Sequence, residues 1–457
     1  MRRSFLLLFV FLTITIFSYG QGFHLKGTIT GLAHADVFFM QDFAVSQQII
    51  DTVQTDAHGS FDISLPANLP IGMYRIMTNS GQMFDLIYNK EDISFKTSGF
   101  QANSTIHIIT SLENQLYYKY LNVKLSNQLK INILDPTLKY YPKNDSFYLV
   151  LKHQVMDLYS QINAVSNWVT QQYPKTLAAH FIRLDRPVTP NFNQIAYQPE
   201  ENLKRNYFKG VDFQDTLLLR SSLLTAKIVG YLGLYQEQGM HKEEVEQAFT
   251  QAVDTLLAKT LVNEQIYEYT LNYLVHGFEE FGFEHLLQHI AAIQQLGLFP
   301  DHSLKKQALE TKLELIKRLA IGKTAPDFSA RDMEGKKIRL SKLKADTTLL
   351  IFWASWCPHC TASLPKLKKF YDPAHPERLQ IIAISVDDNK KEVEKAIQDE
   401  HYPWINIAHL KGWDGPIADE YGVSSTPTFF LLDKNKKIIA KPISITVLEN
   451  LLEKSRP

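Results

Sequence analysis

Three regimes of hydrophobic patterning follow one another along the chain. Between residues 23 and 104, short runs such as "FHLKGTITGL", "ADVFFMQDF", "GSFDISLP", "GMYRIMTN" and "DISFKTS" alternate apolar with polar positions. They are rich in β-branched and aromatic residues, and Gly, Asn, Asp and Pro separate them at short intervals. This pattern predicts an antiparallel β-sandwich. From about 110 to 320 the spacing of apolar residues changes to three and four, as in "DSFYLVLKHQVMDLYSQINAVSNWVTQQYP" and "KEEVEQAFTQAVDTLLAK". That is the period of helices packed on one face. Asp145 and Asn263 stand where helix N-caps are expected, and Pro174, Pro190 and Pro300 punctuate loops. From Gly322 onward, strand and helix patterns alternate. "TTLLIFWAS" and "LQIIAISV" read as buried strands, with a helix from Pro358 to about Tyr371 between them. "NKKEVEKAIQDE" is an amphipathic helix, "PTFFLLD" and "KIIAKPI" are closing strands, and "TVLENLLEK" is a final helix. Such alternation predicts an α/β sheet covered on both faces.

The start of the chain belongs to none of these regimes. Arg2 and Arg3 precede an apolar run from Phe5 to Phe17, and Ser18 and Gly20 are small residues placed for cleavage before Gln21. This is the anatomy of a secretory signal. The run is shorter than the ~20 residues a spanning helix needs, and no cysteine is near to carry a lipid. The expectation is an exported chain, soluble in the periplasm or cell envelope. The expected division is a signal over 1–20, a β-sandwich over 21–104, a helical domain over 105–318 and an α/β domain over 319–457.

Composition is that of a globular protein, with 45% hydrophobic and 21% charged residues. The 48 Lys and Arg balance the 48 Asp and Glu, so loss of Arg2 and Arg3 leaves −2. Nothing in this balance favours nucleic acid. The β region holds no cluster of His, Asp or Glu suited to catalysis, which leaves it binding, docking or spacing roles. His285 and His289 are four apart, a spacing that can place two metal ligands on one helix face, but no third ligand is evident nearby. An amphipathic helix explains them better, and no metal is expected.

Chemistry concentrates in "FWASWCPHCTASLP", which contains the only two cysteines of the 457 residues, Cys357 and Cys360. A bridge over three residues staples nothing. A Cys-x-x-Cys pair that follows a strand and opens a helix is a redox motif. The helix N-terminus supplies free N–H groups and partial positive charge, which favour a thiolate on Cys357. Pro358 suits the first helical position. Cys360, one turn inside, suits a resolving role, and His359 can set a donor or a positive charge near the thiolate. Zinc would require further ligands at suitable spacing, and c-type haem would require His after the second Cys, where Thr361 stands. Seventy positions after Cys357, Thr426-Pro427 opens the strand "PTFFLLD".

With "GKTAPDFSARDMEGKKIRLSKLKADTTLLIFWASWCPHC", Pro365, "IIAISVD" and "YGVSSTPTFFLLD", residues 320–457 resemble the thioredoxin superfamily. They are most similar to its exported TlpA-like and ResA-like thiol–disulfide oxidoreductases, which overlap the alkyl hydroperoxide reductase/thiol-specific antioxidant group. The resemblance implies that Cys357 is the nucleophile and Cys360 the resolving thiol of a redox-active disulfide. It also implies that Pro427 is a cis-proline facing the pair, that the Thr426 backbone pairs with substrate, and that Trp353 and Trp356 serve the fold and flank the site. No other cofactor is implied. The implied partners are protein thiols and disulfides of the envelope and an envelope or membrane electron donor or acceptor. Residues 23–104 resemble an N-terminal β domain of unknown function found before such modules.

The chain departs from the family at two positions. Ile351 replaces the buried aspartate of thioredoxin, and Ser363 replaces a glutamate of the cytochrome-maturation branch. The reading is therefore a thiol–disulfide oxidoreductase that reduces, isomerises or oxidises disulfides through a mixed disulfide on Cys357. A thiol peroxidase is an alternative, although "IFWASWC" lacks the upstream Pro and Thr or Ser of peroxiredoxins. So is a binding protein whose redox module is secondary.

Overall fold

The computed structural model describes residues 22–43, 46–99, 105–190, 192, 199–294 and 304–454. The expected signal over 1–20 and Pro300 lie outside the described residues. The chain forms two compact units, one up to residue 224 and one from 225.

The first unit begins with eight strands: β1 (Phe23–Thr30), β2 (Asp36–Phe43), β3 (Ser46–Gln54), β4 (Ser60–Leu65), β5 (Gly72–Thr78), β6 (Met83–Tyr88), β7 (Ile93–Ser98) and β8 (His107–Thr110). They form two four-stranded sheets, ordered β4-β1-β7-β8 and β3-β2-β5-β6. Alternate residues of β4 and β7 are buried, as their sequence period requires. Phe84 and Phe95, one from each sheet, meet edge to face at 5.2 Å between ring centroids. The expected antiparallel order needs one correction, because β1 and β7 pair in parallel. The two strands are far apart in sequence and joined by no hairpin, so no local turn signal could report their direction.

Helices α1 (Leu112–Tyr140), α2 (Ser146–Gln172) and α3 (Leu177–Asp185) follow, then the short α4 (Pro199–Asn206). The Asp145 carboxylate caps α2 by accepting from the Phe147 N–H. Helix α1 runs through Pro136, ten residues beyond the "LENQLYYKYLNVKLSNQLK" pattern. Buried Asn114 joins it to the sandwich, with its amide accepting from the Ile87 N–H at 2.8 Å and donating to the Ile87 carbonyl at 2.7 Å. Glu113, also buried, accepts from the Ala178 N–H at 2.7 Å at the start of α3. These two polar groups are buried because each finds backbone partners.

The second unit takes up the chain within α5 (Leu223–Gly233) and continues with α6 (Lys242–Thr260), α7 (Glu264–Glu280), α8 (Glu284–Gln294) and α9 (Leu304–Arg318). Asn263 caps α7, its side chain accepting from the Ile266 N–H. His289 pairs with Asp254 at 2.6 Å, and the His285 backbone N–H donates to the Glu246 carboxylate at 2.7 Å.

The α/β module then adds the hairpin β9 (Ser329–Arg331) and β10 (Lys337–Arg339) and a five-stranded sheet. Its strands are β11 (Thr347–Trp353), β12 (Leu379–Ser385), β13 (Ile405–Ala408), β14 (Thr428–Asp433) and β15 (Ile438–Ala440), in the order β13-β12-β11-β14-β15. β11, β12 and β13 are parallel, β14 runs against them, and β15, antiparallel to β14, runs with them again. Six successive residues are buried in both β11 and β12, the signature of a sheet covered on both faces. Helices α10 (Pro358–Ser363), α11 (Lys390–Glu400), α12 (Pro416–Glu420) and α13 (Ile445–Lys454) complete the module. The helix expected from Pro358 to about Tyr371 divides: α10 ends at Ser363 and a 3-10 turn covers Leu364–Lys369. Pro365 has no N–H for the next helical bond, so the coil tightens there. No helix among the described residues is long and apolar enough to cross a membrane.

Candidate active site

The site forms where β11 ends. Its last residue, Trp353, is fully buried and lies opposite Ser385 of β12. The Trp353 carbonyl accepts from the Val386 N–H at 2.9 Å. The chain then turns through Ala354, Ser355 and Trp356 into Cys357, the N-cap of α10 (φ −85°, ψ 113°). The Cys357 carbonyl accepts from the N–H groups of Cys360 and Thr361, both at 3.1 Å. Its sulfur accepts from the Cys360 N–H at 3.3 Å. Pro358 occupies the first turn, where its missing N–H leaves no partner unsatisfied.

Sequence reasoning missed the group that holds this turn. Asp387, 1% exposed, accepts from the Ser355 N–H at 3.0 Å, the Ser355 hydroxyl at 2.5 Å and the Ser385 hydroxyl at 2.6 Å. Its own N–H donates to Ser385 Oγ at 2.9 Å. One carboxylate thus ties the residue two before the first cysteine to the end of the neighbouring strand. The only sequence signal was an aspartate directly after a buried strand, in "ISVDD".

The second wall comes from β14, whose first residue, Thr428, pairs with Phe352. That register brings the preceding Thr426-Pro427, a cis peptide bond, beside the turn. The Cys357 thiol donates to the Thr426 carbonyl at 3.4 Å. Cys357, Cys360, Thr426, Pro358 and Trp356 therefore meet in one place, with Pro427 next to Thr426. Pro358 and His359 are exposed. Trp356 is 54% exposed and meets the half-exposed Trp413 edge to face at 6.2 Å between centroids. Trp413 sits between Gly412 and Asp414 in an irregular segment, where no periodicity could assign it to the site.

The two thiols are free and electrostatically unlike. Burial alone would raise the Cys357 pKa. Hydrogen bonds from the Cys360 thiol, from the Thr426 side chain, and from the N–H groups of Cys360 and His359 outweigh that and hold it below the ordinary thiol value. His359 thus acts on the sulfur through its backbone N–H. Cys360 has no exposed surface. Burial first, then its hydrogen bond to Cys357, pushes its thiol up to about 12. The same buried core holds Trp353, Tyr402 and Trp404, with Tyr402 edge to face on Trp353 at 5.7 Å and stacked on Trp404 at 5.1 Å. Ile351 is fully buried and Ser363 nearly so; neither position supplies a carboxylate. Among the described residues, no cluster of three His, Cys, Asp or Glu could hold a metal ion. The arrangement provides one thiol whose ionisation is favoured, a second, more deeply buried thiol within reach of it, and two partly exposed tryptophans beside them.

Comparison with known proteins agrees with this chemistry. Residues 321–441 match the AhpC/TSA family. The thiol-disulfide oxidoreductase ResA of Bacillus cereus is 34% identical over 145 residues, which span 31% of this chain and 81% of that protein. ResA of Bacillus subtilis is 30% identical over 131 residues, 29% of this chain and 71% of that one. Among solved structures, a thiol-disulfide oxidoreductase from Bacteroides fragilis is 31% identical, covering 29% of this chain and 98% of its own, with a TM-score of 0.27. The cysteine pair, its helix and the matched sequence together make this chain a member of the AhpC/TSA family with a ResA-like thiol–disulfide oxidoreductase domain at its C-terminal end.

Proposed function

We propose that the protein is an exported disulfide reductase or isomerase of envelope proteins, with Cys357 as the attacking group and Cys360 as the resolving group. The carrying observation is the opposite displacement of the two thiols, Cys357 lowered and Cys360 raised to about 12. In the forward cycle the Cys357 thiolate attacks one sulfur of a substrate disulfide. An S–S bond forms to Cys357, the substrate S–S bond breaks, and one substrate thiolate departs. Two of the groups that raise Cys360 are the hydrogen bond to Cys357 and the Cys357 charge. Both disappear when Cys357 enters the mixed disulfide, so Cys360 becomes more acidic when it has to react. Its proton passes to the departing thiolate or to water, which suits a site without the carboxylates of the related branches. Cys360 then attacks Cys357, releases the second substrate thiolate and leaves the Cys357–Cys360 disulfide. Two electrons have moved from the pair to the substrate, and an electron donor must restore the dithiol.

The direction follows from what stabilises the reduced form. A strongly stabilised thiolate makes a pair oxidising. Here Cys357 gains its stabilisation against a burial cost, and Cys360 contributes no thiolate at neutral pH, which favours a reducing pair. Trp356, Trp413, Thr426 and Pro427 form the surface that meets the substrate, with the Thr426 backbone pairing to its chain. The signal-like sequence over 1–20 and the ResA relationship support an envelope location.

Trapping tests this reading. Cys360→Ala should accumulate mixed disulfides through Cys357 in cells, identifiable by mass spectrometry. The absence of covalent protein partners, together with peroxide turnover by the native chain, would instead favour a peroxidase.

A further inference from the structure

Outside the redox site, the second unit contains an apolar cavity of about 330 Å³ between α5, α6 and α7, within the ~300–1,000 Å³ range of small-molecule pockets. Its floor is aromatic. Phe249, Phe278 and Phe283 stand edge to face or tilted to one another at 5.8–6.5 Å between centroids. Its rim leaves apolar surface open to water, with Val229 50% and Phe281 64% exposed. Exposed apolar residues gathered around a concavity mark a binding site more often than isolated ones do.

Two glycines line the same cavity, Gly233 at the end of α5 and Gly277 in the last turn of α7. Neither takes a positive φ, and a Cβ on either would meet nothing within 4 Å. Conformation and packing therefore do not call for glycine at these positions, and a helical glycine is less stable than an alanine there. What the two glycines do preserve is space. Tyr273 and Gln236 are the polar lining groups. Among the described residues, the Tyr273 hydroxyl and the Gln236 amide have no protein hydrogen-bond partner.

A cation stands near the rim. Lys242 Nζ lies 3.3 Å from the point a Cβ on Gly282 would occupy, between the pocket residues Phe281 and Phe283. Among the described residues no carboxylate pairs with Lys242. Of the acidic groups of the neighbouring turn, Glu279 pairs with Lys312 at 2.6 Å, while Glu280 lies 3.6 Å from His276 and its charge also reaches the lining residue Tyr273. An apolar cleft with a free ammonium at its mouth complements one chemical class. We infer that this cavity binds a single-chain anionic amphiphile, with its hydrocarbon tail on the Phe249–Phe278–Phe283 floor and its carboxylate at Lys242.

Titration calorimetry of the full-length chain with dodecanoate tests the inference. Dodecanoate should bind saturably at one site per chain, and dodecyltrimethylammonium, with the same tail and the opposite head, more weakly. Gly277→Leu fills the cavity and should abolish binding, with Gly233→Leu as a second filling variant should the first not fold. Lys242→Gln should weaken binding about ten-fold, the worth of one charge-assisted contact. Disulfide-exchange activity should be unchanged in all three variants. The inference is overturned if dodecanoate does not bind, if the filled variants bind it as tightly, or if an apolar peptide occupies the cavity and dodecanoate does not. Equal affinity for the cationic amphiphile would overturn the anionic assignment.

Discussion

At the scale of single residues, the site depends on a difference between two chemically identical side chains three positions apart. Cys357 caps a helix and receives hydrogen bonds, whereas Cys360 is sealed beneath it. The sign of the consequence is fixed. Cys357's folded pKa is depressed, so its thiolate persists at lower pH than in an unfolded chain. The stability it contributes is present above the ordinary thiol pKa and is lost as pH falls through the folded one. Iodoacetamide alkylation of the reduced protein should therefore show an inflection below the ordinary thiol value, with the second thiol silent until about pH 12. A lone inflection at or above the ordinary value would contradict the assignment of Cys357 as nucleophile. Asp387 is the second residue on which the site depends. Asp387→Ala leaves the Ser355 and Ser385 donors unsatisfied and should cost roughly 1.5–3 kcal/mol. Exchange should slow as well, because the turn before Cys357 loses its anchor. Chemical denaturation and an insulin-reduction assay measure the two effects. Unchanged stability would mean that water replaces the carboxylate without loss.

At the scale of elements, two features set the form of the site. Pro365 ends α10 after six residues, so the cysteines occupy a short helix whose N-terminal N–H groups point at Cys357. Gly422 closes the turn after α12, before the strand that brings Thr426 and Pro427. Its φ is +59°, and a Cβ there would come within 2.1 Å of Leu315 Cδ2 on α9. Gly422→Ala should destabilise the protein by about 1–3 kcal/mol, as overpacking does, and the strained backbone adds to it. A lowered urea midpoint with unchanged slope is the expected result. A midpoint equal to that of the native chain would show that α9 yields without cost.

At the scale of the whole molecule, helices and redox module share the second unit. Glu284 on α8, nearly buried, pairs with Lys441 just after β15 at 2.8 Å. Arg318 on α9 meets the Glu420 carboxylate at 2.9 Å and the Glu420 carbonyl at 2.7 Å. Gly282 lies against Ile443, and Gly422 against Leu315. A fragment covering 225–457 should consequently unfold at higher urea than one covering 319–457, which would expose the Leu315 and Ile443 contacts and leave Lys441 unpaired. Equal midpoints would mean that these contacts contribute nothing to the module. Activity of the two fragments on the trapped partners then measures what the helices add to function.

Much of this protein could be read from its sequence because the determining interactions are local. Period-2 and period-3.6 patterns follow from which face of an element meets the core, and they placed the sandwich strands and the helices, while unbroken apolar runs placed the central strands β11 and β12. Cys357, Pro358 and Cys360 lie within one helical turn, so their spacing alone announced a redox pair. The caps at Asp145 and Asn263 are local for the same reason. Tertiary structure decided whatever depends on partners distant in the chain. The parallel pairing of β1 with β7 is one case, and the tie between Asp387 and Ser355 across 32 positions is another. The approach of Thr426 to Cys357 across 69 positions, and the meeting of Trp356 with Trp413, belong with them. The imbalance between the two thiols also required the fold. It arises from burial and from hydrogen-bond donors that converge only when β11, β14 and α10 are assembled, whereas the sequence by itself determined that a redox pair would stand at that helix.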